Sequence, residues 1–296
     1  QIFLNYFNYY FNYIYYFNFT KNTIFFKLYL TKMKYTGFLE KMLTEIGNPI
    51  QYYLNFNSGF IHVNELLSKE ISITHIGYHC LNCALPKKIF RQGCCHDCFY
   101  SSPMVGDWVI RPELSKAHLE IEDRDLAYEK KVQLQPHIVY LALNDQVKVG
   151  VTRKSQIPTR WIDQGATQAI SIIEAPNRYL AGITEVMLKN YYSDKTSWQK
   201  MLTAQPISMF NLQHEKKEAL TKIPKEVTEF ISLNDEVITL SYPVLFYPLK
   251  ATSISLEKEK NFSSKLIGIK GQYLIFKDGS VFNVRSHEGF VVNLEF

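Results

Sequence analysis

Ile138-Val139-Tyr140-Leu141-Ala142-Leu143-Asn144-Asp145-Gln146-Val147-Lys148-Val149-Gly150-Val151-Thr152 is the stretch on which the fold of this chain turns. Two runs rich in β-branched and aliphatic residues flank a polar triplet, Asn144-Asp145-Gln146, which is the composition of a β-hairpin. With the turn on those three residues, Leu143 opposes Val147 and Leu141 opposes Val149, so apolar side chains meet and fix the register. Strand side chains alternate, so Tyr140, Ala142, Lys148 and Gly150 fall together on the other surface while the bulky aliphatics face the core.

Working outward, the segment from Arg153 to Gly165 carries a Ser155 cap signal, an early Pro158 and a terminal Gly, which predicts a short helix bearing Arg160. Residues 167–174 read as a third strand, and residues 177–192 as a longer helix begun near Pro176. Its apolar stripe runs Leu180, Ile183, Thr184, Met187, Leu188 and Tyr191. Glu185 lies opposite that stripe, beside Arg178, Ala181 and Lys189, as a solvated residue with an i,i+4 partner in Lys189. Each residue has a plain reading: Tyr140 suits any antiparallel strand, Arg160 can pair with Asp163 and Glu185 can simply face water.

The densest chemical signal lies upstream. All five cysteines fall between Cys80 and Cys98, as Cys80-Leu81-Asn82-Cys83, eleven residues, then Cys95-His96-Asp97-Cys98, with Cys94 adjacent. A C-x-x-C turn brings two thiolates to one side of the backbone, and two such turns complete a tetrahedron around Zn²⁺. Cys80, Cys83, Cys95 and Cys98 are thus expected to hold a structural zinc in a ribbon or treble-clef-like site. Lys87, Lys88 and Arg91 would offset the double negative charge of that centre. Paired disulfides and a thiol redox centre are the rival readings. Cys94 reads as a small buried residue, and His79 and His96 as substitutes in principle.

The 296 residues are 46% apolar and 21% charged, which excludes collagen, coiled coil and wholesale disorder. A net charge of +5 permits a polyanionic partner without requiring one. Residues 1–32 hold 14 of the 43 aromatics, lack Gly, Ala, Pro, Arg, Asp, Glu, Val and Ser, and precede the first methionine, Met33. They read as a non-native, unstructured upstream extension. A membrane helix is opposed by Asn5, Asn8, Asn12 and Asn18, and a secretory signal by the lack of a basic leading region. Residues 48–76 suggest a strand pair around Asn57-Ser58-Gly59. Beyond 203 a helix over 213–222 precedes a β-rich tail: 238–245, 266–270, 272–276, 281–285 and 289–294, with an exposed charged loop at 257–261.

Val139-Tyr140-Leu141, Lys148-Val149-Gly150-Val151-Thr152-Arg153, Arg160-Trp161 and Glu185 on a later helix, in that order, resemble the GIY-YIG nuclease superfamily over residues 137–203. From Tyr78 onward the chain also resembles the bacterial domain of unknown function 2797 family. The cysteine knuckles, Arg111-Pro112-Glu113-Leu114 with His118, the run from Lys148 to Gly165 and Leu266-Ile267-Gly268-Ile269-Lys270-Gly271-Gln272-Tyr273 carry that wider likeness. Ser115 stands where a cysteine is expected in many members.

The nuclease resemblance implies a phosphodiester-hydrolysing site. Tyr140 would bind or activate the attacking water, Arg160 would neutralise charge growing on the phosphate, Arg153 would bind phosphate, and Glu185 would hold Mg²⁺ or Mn²⁺. Lys148 replaces the tyrosine that opens the superfamily's second motif. A lysine can bind phosphate, and accepts a proton at neutral pH only where burial depresses its pKa.

The expected architecture is α+β. Residues 33–136 form a β-rich region with the zinc-ribbon-like four-cysteine site, 137–203 a GIY-YIG-like three-stranded antiparallel sheet with helices, and 204–296 a helix followed by a small β domain. The expected function is a cytoplasmic nucleic-acid-binding zinc protein, a metal-dependent endonuclease acting on DNA or RNA, with no membrane and no small-molecule cofactor. The alternative is a non-catalytic zinc-stabilised module that binds RNA or protein.

Overall fold

The computed structural model describes residues 33–56, 59–193, 197–203 and 210–296. The extension read in residues 1–32, and Asn57 and Ser58 of the upstream turn, lie outside the described residues.

The first strands are β1 (Lys34–Phe38), β2 (Leu43–Glu45), β3 (Gln51–Phe56), β4 (Gly59–His62) and β5 (Glu70–Tyr78). β2, β3 and β4 form an antiparallel meander, in which Tyr52, Leu54 and Phe56 of β3 alternate inward. β5 runs straight into the first cysteine knuckle. A short pair, β6 (Ile89–Arg91) and β7 (Cys94–Cys95), then delivers the second knuckle to the start of helix α1 (His96–Ser101). Gln92 and Gly93 turn that pair with φ of 51° and 72°, a conformation that favours glycine at the second position.

Helices α2 (Asp107–Ile110) and α3 (Leu126–Gln133) lead into the central hairpin. α3 is capped where the Tyr128 N–H donates to Asp125 Oδ1 at 2.9 Å. The hairpin consists of β8 (His137–Leu143) and β9 (Val147–Arg153), with Leu143 opposite Val147, Leu141 opposite Val149 and Tyr140 opposite Gly150. Its turn and register are those the apolar pattern dictates. The short helix is α4 (Thr159–Asp163), and β10 (Gln168–Ala175) pairs with β8 as the third antiparallel strand. Helices α5 (Arg178–Leu188), α6 (Trp198–Thr203) and α7 (Leu212–Leu220) follow.

The tail departs from the expected pattern first in its leading strand. Only Ile238–Thr239 forms a strand, β11, at the edge of β10; Leu240 and Ser241 then bond to Thr167 and Ile50, and Pro243 supplies no donor for a ladder. After β12 (Thr252–Ser253) come β13 (Asn261–Lys270), β14 (Tyr273–Phe276), β15 (Ser280–Asn283) and β16 (Phe290–Glu295). These do not close on themselves. They join the first strands in a seven-stranded sheet ordered β1-β16-β5-β13-β14-β15-β12, and residues 34–296 form one compact unit. The N-terminal region and the tail therefore share a sheet.

The second sheet, β11-β10-β8-β9, is covered on both faces. Val139, Leu141 and Leu143 pack in one cluster with Ala181 and Leu188 of α5 and Leu212 and Ala219 of α7. Ile138, Tyr140 and Ala142 belong to a different core, continuous with Trp161, Ile162, Leu266, Ile269 and Leu274. The surface expected to present Tyr140 is thus a second interior, which explains why every residue of β8 is buried.

Candidate functional site

Two centres carry chemistry. In the first, the sulfurs of Cys80, Cys83, Cys95 and Cys98 all lie within 4.8 Å of one another. A tetrahedral zinc with Zn–S bonds of roughly 2.3 Å needs sulfurs about 3.8 Å apart, so the spacing fits the ion. The backbone prepares the site, since Cys95 N–H donates to Cys80 Sγ at 3.2 Å. Burial opposes ionisation of Cys80, but backbone N–H groups of Cys83, Cys95 and Asn82 outweigh it and hold the thiol at about 6. At Cys98 the Asn82 amide favours the thiolate, yet burial and the other three sulfurs push the thiol up to about 12. Four sulfurs this close cannot ionise together without a cation among them.

The surroundings are more selective than spacing alone conveyed. Cys94 is buried in the core, and burial pushes its thiol up to about 11, as suits a packing residue. His79 stacks on Phe38 at 4.2 Å and His96 packs against Phe90 and Tyr100, so neither belongs to the sulfur group. Of the three cations expected to offset the site, Lys87 is bonded to Asp97 and also feels Cys95 and Cys83, whereas Lys88 pairs with Glu257 and Arg91 lies over the Phe90 ring.

The second centre gathers residues from β8, β9, α4, α5 and the turn of 3₁₀ helix at Pro112–Leu114. Tyr140 is 1% exposed and donates to Gln164 Oε1 at 2.6 Å. Burial raises its phenol pKa, the hydrogen-bonded Arg160 guanidinium lowers it and Glu185 raises it further. Arg178, at the start of α5, donates to the carbonyls of Trp108 and Val109 at 3.0 and 2.7 Å. Burial lowers its pKa to about 10, and Glu185, Arg153, Arg160 and Glu113 all act on it electrostatically. Arg153, Arg160 and Glu185 therefore lie within electrostatic reach of Arg178, and Arg160 and Glu185 within reach of Tyr140. Among the described residues, neither Arg153 nor Arg160 has an ion pair.

Glu185 is not the solvated residue that helical periodicity suggests. It is 9% exposed, and the buried residues of α5 are Ala181, Gly182, Thr184, Glu185 and Leu188, while Met187 and Tyr191 face water. The reason lies outside the helix: the backbone of Pro112 and Glu113 lies so close to Gly182 that a Cβ there would collide with it. That segment covers the side of α5 which looked free, and the stack of His118 on Tyr179 at 4.5 Å holds it there. Burial raises the Glu185 carboxyl pKa; Lys189 at 3.4 Å and Arg178 lower it, and Glu113 raises it again. Arg160 does not pair with Asp163, whose carboxylate is taken by Lys41 at 3.1 Å and Gln272 at 2.8 Å.

Three residues escaped the sequence reading. Glu113 brings a second carboxylate toward Glu185, with a buried Oε2 that has no hydrogen-bond partner among the described residues. His137, opposite Arg153 in the hairpin, bonds Gln135 O through Nδ1 at 2.7 Å and has a buried Nε2 with no partner among the described residues; burial lowers its pKa to about 4. Arg178 looked like a helix-surface cation. Nothing local marks them, because a fold of distant segments creates their burial. Lys148 is 6% exposed, and burial lowers its pKa to about 8, the condition under which an amine can accept a proton near neutrality.

Among the described residues no helix is long and apolar enough to cross a membrane. The chain belongs to the family described as protein of unknown function (DUF2797), whose model matches residues 68–292, from just before β5 into β16. No curated protein and no solved structure matches the chain.

Proposed function

We propose that this DUF2797 protein binds nucleic acid through its phosphodiester backbone at the arginine centre and cleaves it with the help of a divalent cation. The observation that supports the reading is the gathering of Arg153, Arg160 and the buried carboxylate of Glu185 around Arg178, with Arg160 and Glu185 also acting on the buried phenol of Tyr140; neither Arg153 nor Arg160 has an ion pair among the described residues. Guanidinium forks match phosphate oxygens, and a cluster built around so few acids attracts an anion.

Arg153 and Arg160 would grip the diester, and Arg160 would also stabilise charge growing on it. Tyr140, bonded to both Arg160 and Gln164, would orient the guanidinium and the attacking water. Glu185, with Glu113 beside it, offers the oxygen donors that suit Mg²⁺ or Mn²⁺, and the unpartnered Glu113 Oε2 supports that fit. When bound, such an ion supplies Lewis acidity and an activated water. The four cysteines would hold zinc as a structural crosslink.

A second reading, binding without cutting, is favoured by the burial of Tyr140, since a phenol 1% exposed with a raised pKa is poorly placed to take a proton. Incubating the protein with DNA and RNA panels and Mg²⁺ or Mn²⁺ separates the two. Nicking by wild type that is lost in Glu185→Ala supports the enzyme. Salt-sensitive binding with both proteins inert supports the binding module. No affinity for either polymer overturns both.

A further inference from the structure

A cavity of about 200 Å³ lies among α2, the turn at Pro112–Leu114 and α3, outside both centres. Its floor is buried: Trp108 is 4% exposed, Glu129 1% and Gln133 2%. Its mouth is charged, with exposed Asp107, Glu122 and Asp123 beside a single exposed cation, Lys116. The Glu129 carboxylate accepts the backbone N–H groups of Asp123, Arg124 and Asp125 at 3.0, 2.7 and 3.0 Å, so the loop bearing Glu122 and Asp123 is fixed before any ligand arrives. Those donors answer the charge of Glu129 but not the charges at the mouth. Glu122 accepts the Leu126 N–H at 3.2 Å, Asp123 stands 3.9 Å from Arg124, and Asp107 has no ion pair among the described residues.

Gln133 adds a demand of the opposite kind. Its Oε1 accepts the Ala117 N–H at 3.1 Å, whereas its Nε2 makes no hydrogen bond among the described residues and is not one of the fully enclosed atoms. A buried amide nitrogen left open to a cavity calls for an acceptor inside it, while three carboxylates against one ammonium call for a cation. A metal ion does not meet both demands. Among the described residues only the four cysteines form a group of three or more donors close enough to hold one, so these carboxylates are spread too widely to ligate an ion. We propose that the cavity binds a small organic cation, a primary amine whose ammonium sits among Asp107, Glu122 and Asp123 and whose hydroxyl or carbonyl oxygen accepts from Gln133 Nε2. Water takes up roughly 30 Å³ per molecule, so the space admits a ligand of about seven non-hydrogen atoms. Trp108 and Leu114 line the same space and cover its carbon atoms. Binding here needs neither nucleic acid nor cleavage.

The test titrates the full-length protein with ethanolamine, ethylamine and ethylene glycol by calorimetry. Ethanolamine should bind with a Kd of about 1 mM, ethylamine about tenfold more weakly because it lacks the acceptor, and ethylene glycol not measurably because it lacks the charge. The double variant Glu122→Gln with Asp123→Asn alters only exposed side chains, and should weaken ethanolamine binding about tenfold while melting like wild type. Gln133→Leu should bind ethanolamine and ethylamine alike. That substitution also takes the acceptor from the Ala117 N–H, so if the variant fails to fold, the two amines compared on wild type read the same contact. No binding of either amine, equal binding of ethanolamine and ethylamine by wild type, equal binding of ethylene glycol, or an ethanolamine affinity unchanged in the double variant overturns the proposal.

Discussion

The sulfur centre is assembled between Cys80 and Cys98, by two turns, one short strand pair and the first turn of α1. The arginine centre draws on β8, β9, α4, α5 and the turn at Pro112–Leu114, and takes its character from how these cover one another. In the first, residue type and spacing are the geometry. In the second, chemistry arises from burial: Glu185 and Arg178 become unusual only because a distant backbone lies on Gly182. A locally built site survives or fails as a unit with its ion, whereas one built from distant segments can be altered a residue at a time.

The largest expected effect tests the first half of that contrast. Chelation, or Cys95→Ser, should remove about one zinc per chain by mass spectrometry and unfold the segment around α1. The loss is on the order of 10 kcal/mol of binding energy coupled to folding. Cys94→Ser should keep the metal. A metal-free protein with intact circular dichroism would break the comparison.

Next in size is the pH dependence contributed by His137. Its folded pKa, about 4, lies below the ordinary 6.5, so the unfolded chain takes up the proton first. Stability should therefore be full above pH 6.5 and fall as pH drops toward 4, by about 3 kcal/mol for this residue. Denaturant melts should show that decline in wild type and a shallower one in His137→Gln.

A smaller effect is expected at the guanidiniums of Arg153 and Arg160. Arg160→Ala or Arg153→Ala should weaken nucleic-acid binding to a similar degree across sequences and reduce the salt slope by about 1. An unchanged slope would detach these arginines from phosphate. Least of all, Glu185→Gln should raise the melting temperature at pH 7. The folded carboxyl pKa is raised by burial, so the ionised acid costs stability above that pKa and nothing below about 4.5. The gain should vanish as pH falls to that value, and its persistence there would mean that packing, not charge, is responsible.

Much of the architecture is legible locally. The hairpin register follows from Leu141, Leu143, Val147 and Val149, and the sulfur group from two C-x-x-C turns. What periodicity cannot convey is a second layer. It assigns Glu185 to water because it sees one helix, and leaves Tyr140 on a surface because it sees one sheet. It likewise extends a strand through 240–245, where contacts to Ile50 and Thr167 take the backbone elsewhere. Glu113 and His137 lie in segments whose sequence carries no catalytic pattern, and only the packing of Pro112 on α5 and the pairing of His137 with Arg153 bring them in.

The side chain of Gln272 bonds both the nitrogen and the carbonyl of Met42 and reaches Asp163 at the end of α4, while Lys41 holds the other oxygen of that carboxylate. One amide thus rivets three distant stretches of chain beneath the helix that bears Arg160. The central segment is accordingly not a portable cassette: excised alone, residues 137–203 would lose this rivet and bare an oily flank, and should aggregate instead of folding.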